Sequence, residues 1–174
     1  MAQELVMVRH GYIGAHYDGR FVGSTDVPLA DEGLMQTSSL VAQAKALTSA
    51  RCFCSPMLRA RETADAMLKP VGFTYEIDPN LREACFGRWE CMTFEQISTS
   101  DPENVSKWAE YSMDFSFPEG ESTQSFVTRV QDFGKRAAAE PVRTVLAITH
   151  GGVIRALICH FLGLDPRNYL LFDV

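Results

Sequence analysis

The chain has 174 residues, a length that suits one domain with a core large enough to need no disulfide support. Its net charge of -6 at pH 7 argues against nucleic-acid binding, because a protein that binds a phosphate backbone usually has a basic face. Five cysteines without a C-x-x-C pair favour free thiols. With no signal-peptide pattern and no apolar run near the roughly 20 residues that span a bilayer, we expect a cytoplasmic protein without membrane contacts.

Short apolar runs bounded by turn or helix signals predict buried parallel strands at about 4–8, 51–54 and 143–149, with a weaker strand near 73–77. Apolar residues at helical spacing alternate with these runs. Ser55 and Pro56 are typical of a helix start, with the serine as N-cap and the proline in the first turn. The alternation predicts a three-layer α/β sandwich, a mostly parallel sheet flanked by helices. The predicted helices are at about 31–47, 56–68, 122–139 and 152–162.

Two segments interrupt the alternation of strands and helices. One is the glycine-rich stretch 12–28, and the other is an irregular insertion at about 78–120 with short helices at 93–97 and 103–111. Long excursions of this kind usually cover or build a site. No repeat or linker divides the chain, so we expect a single domain over residues 1–174.

Two histidines follow predicted strands and precede glycine. His10 stands in Arg9-His10-Gly11 after the first strand, and His150 precedes Gly151 after the last one. Open α/β sheets bind ligands beyond the carboxyl ends of their strands, where distant parts of the chain converge. We therefore expect the two imidazoles to share a site.

The residues around these histidines favour a phosphate ligand. Arg9 and Arg59 are suited to hold phosphate oxygens, and Gly151 opens a helix whose N-terminus favours negative charge. Neutral His10 can then attack phosphorus in line while His150 and the arginines offset charge on the equatorial oxygens. Zinc is the competing ligand, but the arginines would repel a cation and no metal-ligand spacing is present. We expect no metal and no cofactor.

The leaving oxygen of a phosphate ester needs a proton, and Glu83 is the best candidate for the general acid. It lies in the irregular insertion, with Phe86 and Trp89 close in sequence. Glu90 and Glu121 are the alternatives for this place. Aromatic residues of the insertion either wall a substrate pocket or form a lid packed on the core. They are Trp89, Trp108, Tyr111, Phe115 and Phe117.

Six motifs occur in an order that spans nearly the whole chain. They are Arg9-His10-Gly11, GRFVGSTDVPL at 19–29, SPMLRARETA at 55–64, LREACFGRWE at 81–90, PEGES at 118–122 and THGG at 149–152. Together they resemble the histidine phosphatase superfamily, also called phosphoglycerate-mutase-like, and are nearest to its small phosphatases, the branch that includes α-ribazole phosphatase. The resemblance implies His10 as the nucleophile that forms phosphohistidine and Glu83 as the proton donor. It also implies a phosphate pocket of Arg9, Arg59 and His150.

The loop after the first motif departs from the family's usual residues. An acidic or amide residue, then Thr or Ser, and then Asn are typical there, whereas this chain has Tyr12, Ile13 and His16. His16 either substitutes as a phosphate donor or is a plain loop histidine. Cys91 stands where the small phosphatases usually have glycine. The expected substrate-binding residues are Arg9, Arg59, His150, Gly151, His16 and Gly23.

We expect a metal-independent phosphomonoester hydrolase whose partner is a small phosphorylated metabolite, with α-ribazole phosphate among the first compounds to test. One alternative is a phosphoglycerate mutase, which returns the phosphate to a second hydroxyl before water arrives. The other is a regulatory module that binds phosphate without turnover. The oligomeric state stays open, and a homodimer is one option.

Overall fold

The computed structural model describes residues 1–47, 49–110 and 112–174. At its centre is a sheet of four strands, all parallel, in the order β1-β4-β2-β3. The weaker strand predicted at 73–77 is reduced to two residues. The strands are β1 (Glu4–Arg9), β2 (Ala50–Cys54), β3 (Glu76–Ile77) and β4 (Thr144–Thr149).

Seven α-helices lie within the described residues, and none of them is long and apolar enough to cross a membrane. They are α1 (Asp31–Ser38), α2 (Val41–Ala46), α3 (Leu58–Leu68), α4 (Phe94–Ser100), α5 (Pro102–Ala109), α6 (Thr123–Ala139) and α7 (Gly151–Leu162). Short 3-10 turns are at Ala15–Tyr17, Lys69–Val71, Pro79–Leu81, Gly87–Trp89 and Pro166–Leu171.

Strand β4 divides the core into two layers. Val145 and Ala147 pack with residues of α6 and α7 on one face of the sheet. Leu146 and Ile148 pack with residues of α2 and α3 on the other face. All four side chains are fully buried, as expected for a central parallel strand covered on both faces. The predicted three-layer α/β sandwich is confirmed.

The single helix predicted at 31–47 is wrong, because α1 ends at residue 38 and α2 begins three residues later. The hydroxyls of Thr37 and Ser38 donate to the Leu34 carbonyl at 3.0 Å and 2.8 Å. Such bonds compete with the main-chain ladder of a helix. Leu34, whose spacing in that predicted helix matches the other apolar residues of the segment, is 41% exposed.

The irregular insertion builds a third, smaller core from aromatic residues. Trp89, Phe115 and Phe117 are buried together, with the Trp89 and Phe117 rings 5.5 Å apart. Trp108 packs against this cluster and also borders a cavity, as does Phe117. Of the predicted aromatic set, Tyr111 lies outside the described residues. The described members of the set therefore contribute both to a packed cluster and to the wall of a pocket.

Candidate active site

Strands β1 and β4 are neighbours, and their pairing brings the two strand-end histidines together. Arg9 pairs with Thr149, so His10 and His150 leave the sheet side by side. The His10 N–H donates to the Thr149 carbonyl at 2.9 Å, and the two imidazole centroids are 5.2 Å apart. The structure thus brings together the two side chains that the sequence placed at one edge of the sheet.

The tautomer of His10 follows from its hydrogen bond. Nδ1 lies 2.8 Å from the Gly11 carbonyl oxygen. A carbonyl only accepts, so Nδ1 carries the proton and Nε2 keeps its lone pair. The Gly11 N–H is itself held by the Thr63 hydroxyl at 3.1 Å, which fixes the turn that follows β1.

Ser55 belongs to this site, and its predicted role as a helix N-cap is wrong. Helix α3 begins at Leu58 with Met57 as its N-cap residue. The Ser55 hydroxyl lies 2.7 Å from Nε2 of His150, whose Nδ1 is buried and has no hydrogen-bond partner. Sequence reasoning missed this contact although the signal was present, because Ser55 directly follows β2 just as His10 follows β1.

Both imidazoles are neutral at pH 7. Burial lowers the pKa of His10 to about 4, and the positive charges of Arg59 and Arg9 act in the same direction against the hydrogen bond to Gly11. Burial, followed by the charges of Arg59 and His10, also lowers the pKa of His150 well below 6.5. His10 therefore has a free lone pair at neutral pH without help from a base.

These neutral histidines predict that acid begins to destabilise the protein near pH 6.5, before its carboxylates start to titrate. An unfolded histidine titrates near 6.5, whereas folded His10 titrates at about 4, so the unfolded chain binds more protons between these values. The free energy of unfolding should therefore fall as the pH drops from 6.5 to 4. Urea denaturation in phosphate-free buffer measures it. His10→Asn, whose amide can still donate to the Gly11 carbonyl, should show a shallower slope, and an unchanged slope would contradict the prediction.

Arg59 is fully buried, and its guanidinium group donates hydrogen bonds to the loop that precedes Asp26. Its Nη1 donates to the Thr25 carbonyl at 3.0 Å, and its Nη2 donates to the Gly23 carbonyl at 2.8 Å. Nε is buried without a partner. The Arg59 side chain does not line the cavity into which the site opens, although its positive charge lowers the pKa of both histidines. The predicted phosphate contact is thus restricted to one nitrogen.

The site opens into a cavity of about 650 Å³. Three arginines line it in a protein of net charge -6, which creates local positive potential for an anion. Arg9 was predicted, whereas Arg20 and Arg155 were not. Arg155 lies four residues after Gly151 on α7, a spacing that places it on the same helix face. Among residues 1–47, 49–110 and 112–174, no three His, Cys, Asp or Glu side chains are placed to hold a metal ion.

Two of these arginines also bind main-chain carbonyls of residues 172–174. Arg9 Nη1 donates to the Val174 carbonyl at 2.6 Å, and Arg155 Nε donates to the Phe172 carbonyl at 2.8 Å. Each bond uses one of the five N–H groups of a guanidinium. The two side chains are thereby held at the cavity wall with further donors left for a ligand.

The two glycines that begin α7 permit different close approaches. A Cβ on Gly151 would lie 3.5 Å from Arg155 Nη1 and 3.7 Å from Arg9 Nε, so both guanidinium groups lie near the helix N-terminus. A Cβ on Gly152 would lie 2.5 Å from Glu83 Oε1. Only glycine lets this carboxylate approach, and the Gly152 N–H donates to Oε2 at 2.9 Å.

Of the three glutamates considered for the general acid, only Glu83 lines the cavity. Glu90 accepts hydrogen bonds from the N–H groups and hydroxyls of residues 23–25. Burial alone would raise the pKa of Glu90, but these hydroxyl and N–H donors lower it below its ordinary value. Glu121 forms an ion pair with Arg129 at 2.7 Å. Glu90 and Glu121 therefore hold loops in place.

Besides Arg59 and His150, two further residues predicted to bind substrate, His16 and Gly23, do not line the cavity. His16 is exposed, and its ring packs edge-on against Tyr17 with centroids 4.9 Å apart. The Gly23 N–H donates to Glu90, and a Cβ on Gly23 would lie 1.8 Å from the Ala84 carbonyl oxygen. Gly23 is required for the close packing of two loops.

Known proteins resemble this chain over nearly its full length. The model of the histidine phosphatase superfamily (branch 1) matches residues 5–174. An adenosylcobalamin/alpha-ribazole phosphatase from Escherichia coli (strain K12) is 30% identical over 171 residues, which cover 98% of this chain and 84% of the relative. A glucosyl-3-phosphoglycerate phosphatase from Mycolicibacterium vanbaalenii is 31% identical over 183 residues, covering 96% of this chain and 77% of the relative.

Solved structures that share the fold of this chain include proteins of the same kind. The crystal structure of the alpha-ribazole phosphatase from Shigella flexneri matches with a TM-score of 0.87 and 29% identity, covering 98% of this chain and 85% of that protein. The chain therefore belongs to branch 1 of the histidine phosphatase superfamily and is a phosphatase.

Proposed function

We propose that the protein hydrolyses small phosphate monoesters without a metal, through a phosphohistidine formed on Nε2 of His10. The observation that carries this proposal is the hydrogen bond between Nδ1 and the Gly11 carbonyl, which leaves the Nε2 lone pair free. The low pKa of His10, about 4, supports a neutral nucleophile under physiological conditions.

The same geometry suggests how the phosphate is held. Arg9 and Arg155 offer guanidinium donors beside the N-terminus of α7, a favourable place for a dianion. The two buried nitrogens without partners, Arg59 Nε and His150 Nδ1, supply further donors. In this assignment Ser55 donates to Nε2 of His150, so that Nδ1 carries the proton. A bound phosphate oxygen then satisfies groups whose isolation is otherwise costly.

The reaction proceeds in two displacements. The Nε2 lone pair of His10 forms a bond to phosphorus while the bond to the leaving oxygen breaks, and protonated Glu83 gives its proton to that oxygen. Water then attacks the phosphohistidine, Glu83 takes a proton from it, and the N–P bond breaks. The products are an alcohol and inorganic phosphate, and His10 is again neutral.

We propose α-ribazole phosphate as the first candidate substrate, because relatives that cover nearly the whole chain carry that name. Other relatives are named for glucosyl-3-phosphoglycerate, so the test is a phosphate-release screen across both and other metabolites. Steady release of phosphate supports hydrolysis. Interconversion of 2- and 3-phosphoglycerate would support the mutase instead, and phosphate binding without turnover would support a regulatory module.

We also propose that the protein acts in the cytoplasm without a nucleic-acid partner. All five cysteines are free thiols, which supports a reducing compartment. The net charge of -6 supports a small anionic ligand held by local arginines over a long polyanion.

A further inference from the structure

The general acid stands on a part of the chain that has no regular structure of its own. Glu83 lies between two 3-10 turns, Pro79–Leu81 and Gly87–Trp89, and belongs to no helix or strand. His10 and His150, in contrast, directly follow strands. Side chains on irregular segments are positioned less precisely than those on strands and helices unless other groups hold the main chain. The support of Glu83 must therefore come from elsewhere in the fold.

The four main-chain carbonyls of residues 80–83, which we call the general-acid loop, all accept hydrogen bonds from side chains. Arg129, on α6, binds three of them through Nη1 and Nη2 at distances of 2.6 Å to 3.1 Å. Thr149, at the end of β4, binds the remaining one, that of Leu81, at 2.7 Å. The three carbonyls bound by Arg129 belong to Asn80, Arg82 and Glu83. The general-acid loop is thus tied both to α6 and to the strand that precedes His150.

All five N–H groups of the Arg129 guanidinium have acceptors. They meet the three loop carbonyls and both carboxylate oxygens of Glu121, which lie 2.7 Å from Nε and 2.9 Å from Nη2. The side chains of Arg129 and Glu121 are only 12% and 13% exposed. The Glu121 N–H also donates to the Cys85 carbonyl at 2.9 Å, on the far side of the general acid. A neutralised, planar fork therefore holds the loop in one geometry.

The carboxyl group of Glu83 is itself held by the main chain. Oε1 accepts from the Ala84 N–H at 3.0 Å, and Oε2 accepts from the Gly152 N–H at 2.9 Å. The place of the carboxyl group in the active-site cavity therefore follows the position of the general-acid loop. Arg129 does not line that cavity, so its influence on the transferred proton passes through the loop.

We propose that Arg129, together with Thr149, is the positioning residue of the general acid, which it holds at the leaving oxygen by fixing the carbonyls of the general-acid loop. The proposal rests on the proposed function, because it assigns the leaving oxygen to Glu83. A general acid must come within about 2.6–3.2 Å of the oxygen that it protonates, and a displacement of roughly 1 Å can cost about 10²-fold in rate. Release of the carbonyls should therefore weaken protonation and leave the nucleophile on β1 in place.

Arg129→Lys tests the proposal, because lysine keeps the positive charge but cannot bind three carbonyls and a carboxylate in one plane. The change should lower kcat/KM for ethyl phosphate by about 30- to 100-fold. For 4-nitrophenyl phosphate, whose leaving group needs no proton, the change in kcat/KM should stay below about 3-fold. A loss of the same size for both esters, or no loss for either, would overturn the proposal.

Arg136→Lys is the matched control. Arg136 lies on the same helix and forms an ion pair with Asp78 at 2.7 Å, which lysine can keep. It binds none of the four carbonyls of the general-acid loop. The control should leave kcat/KM unchanged for both esters.

A double variant with Glu83→Gln separates positioning from a general effect on the fold. Once the proton donor is gone, a displaced loop has little left to disturb, so Arg129→Lys should then lower kcat/KM for ethyl phosphate by less than about 3-fold. A further loss of the full size would contradict the positioning role. If Glu83→Gln alone lowers kcat/KM equally for both esters, the proposed function fails. If Glu83→Gln is selective for the alkyl ester and Arg129→Lys is not, only the positioning role fails.

Thr149→Val is the milder variant, because valine preserves the β-branched shape that suits a strand. It removes only the hydroxyl that binds the Leu81 carbonyl, so kcat/KM should fall by about 3- to 10-fold for ethyl phosphate and by less than about 2-fold for 4-nitrophenyl phosphate. Circular dichroism on heating shows whether each variant is folded under the assay conditions. Should Arg129→Lys not fold, Thr149→Val decides, and an equal loss for both esters or no loss for ethyl phosphate would overturn the proposal.

Discussion

Replacing His10 with alanine should lower kcat for aryl phosphate hydrolysis by about 10⁴-fold or more, since loss of a covalent nucleophile removes the reaction path itself. Steady-state phosphate release measures the effect. His16→Ala is the matched control, because His16 is an exposed histidine near the same cavity and does not line it. The control should retain activity within about 3-fold.

The covalent intermediate provides the stricter test of His10. A substrate with a radioactive phosphoryl group, quenched in alkali during turnover, should label the wild type and leave His10→Ala unlabelled, because a phosphohistidine is stable in base and labile in acid. Label that survives acid and is lost in base would place the phosphate on an oxygen. Turnover by His10→Ala close to that of the wild type would exclude His10 as the nucleophile.

Glu83→Gln should lower kcat/KM for alkyl phosphates by about 10² to 10⁴-fold, because a poor leaving group needs a proton in the transition state. The loss should be much smaller for 4-nitrophenyl phosphate, whose leaving group departs as an anion. The amide is nearly isosteric, and its oxygen can still accept the hydrogen bond from Gly152. Comparing the two classes of ester therefore separates proton donation from loop structure.

Glu95→Gln, a change at an exposed position in the first turn of α4, is the control and should leave both ester classes unaffected. If Glu83→Gln lowers kcat/KM equally for alkyl and nitrophenyl esters, Glu83 is not the general acid. A role in phosphate binding or loop packing would then explain the loss.

The chain's local pattern determined the elements that carry the chemistry. Apolar runs placed His10 and His150 directly after strands, and the neighbouring glycines marked helix and loop starts beside them. The sequence also pointed to an unusual position at Cys91, which stands where the resembling phosphatases usually have glycine. The structure gives Cys91 a φ of 60°, a backbone conformation that favours glycine. These features depend on residues close in sequence, and a pattern of a few positions captures them.

Helix boundaries were predicted less accurately, because hydrogen bonds of polar side chains compete there with the main-chain hydrogen bonds of the helix. The apolar spacing of 31–47 predicted one helix, but the hydroxyls of Thr37 and Ser38 bind main-chain carbonyls and the helix ends there. Serine is a preferred N-cap residue, yet the Ser55 hydroxyl forms a hydrogen bond with Nε2 of His150. Periodicity reports which face is buried and carries no information about a polar partner 95 residues away.

Sequence patterns alone were enough to predict the parallel α/β class and to place both histidines after strands, and they left Glu83, Glu90 and Glu121 as candidates for the general acid. Only the tertiary structure decided that β4 lies between β1 and β2, which places His150 between His10 and Ser55. It also decided that Arg155 lines the active-site cavity, whereas the Nη1 and Nη2 groups of Arg59 bind main-chain carbonyls of a loop. The physical reason is that strand order and side-chain competition for partners are settled by long-range packing, whereas strands, turns and helix starts are set by neighbouring residues.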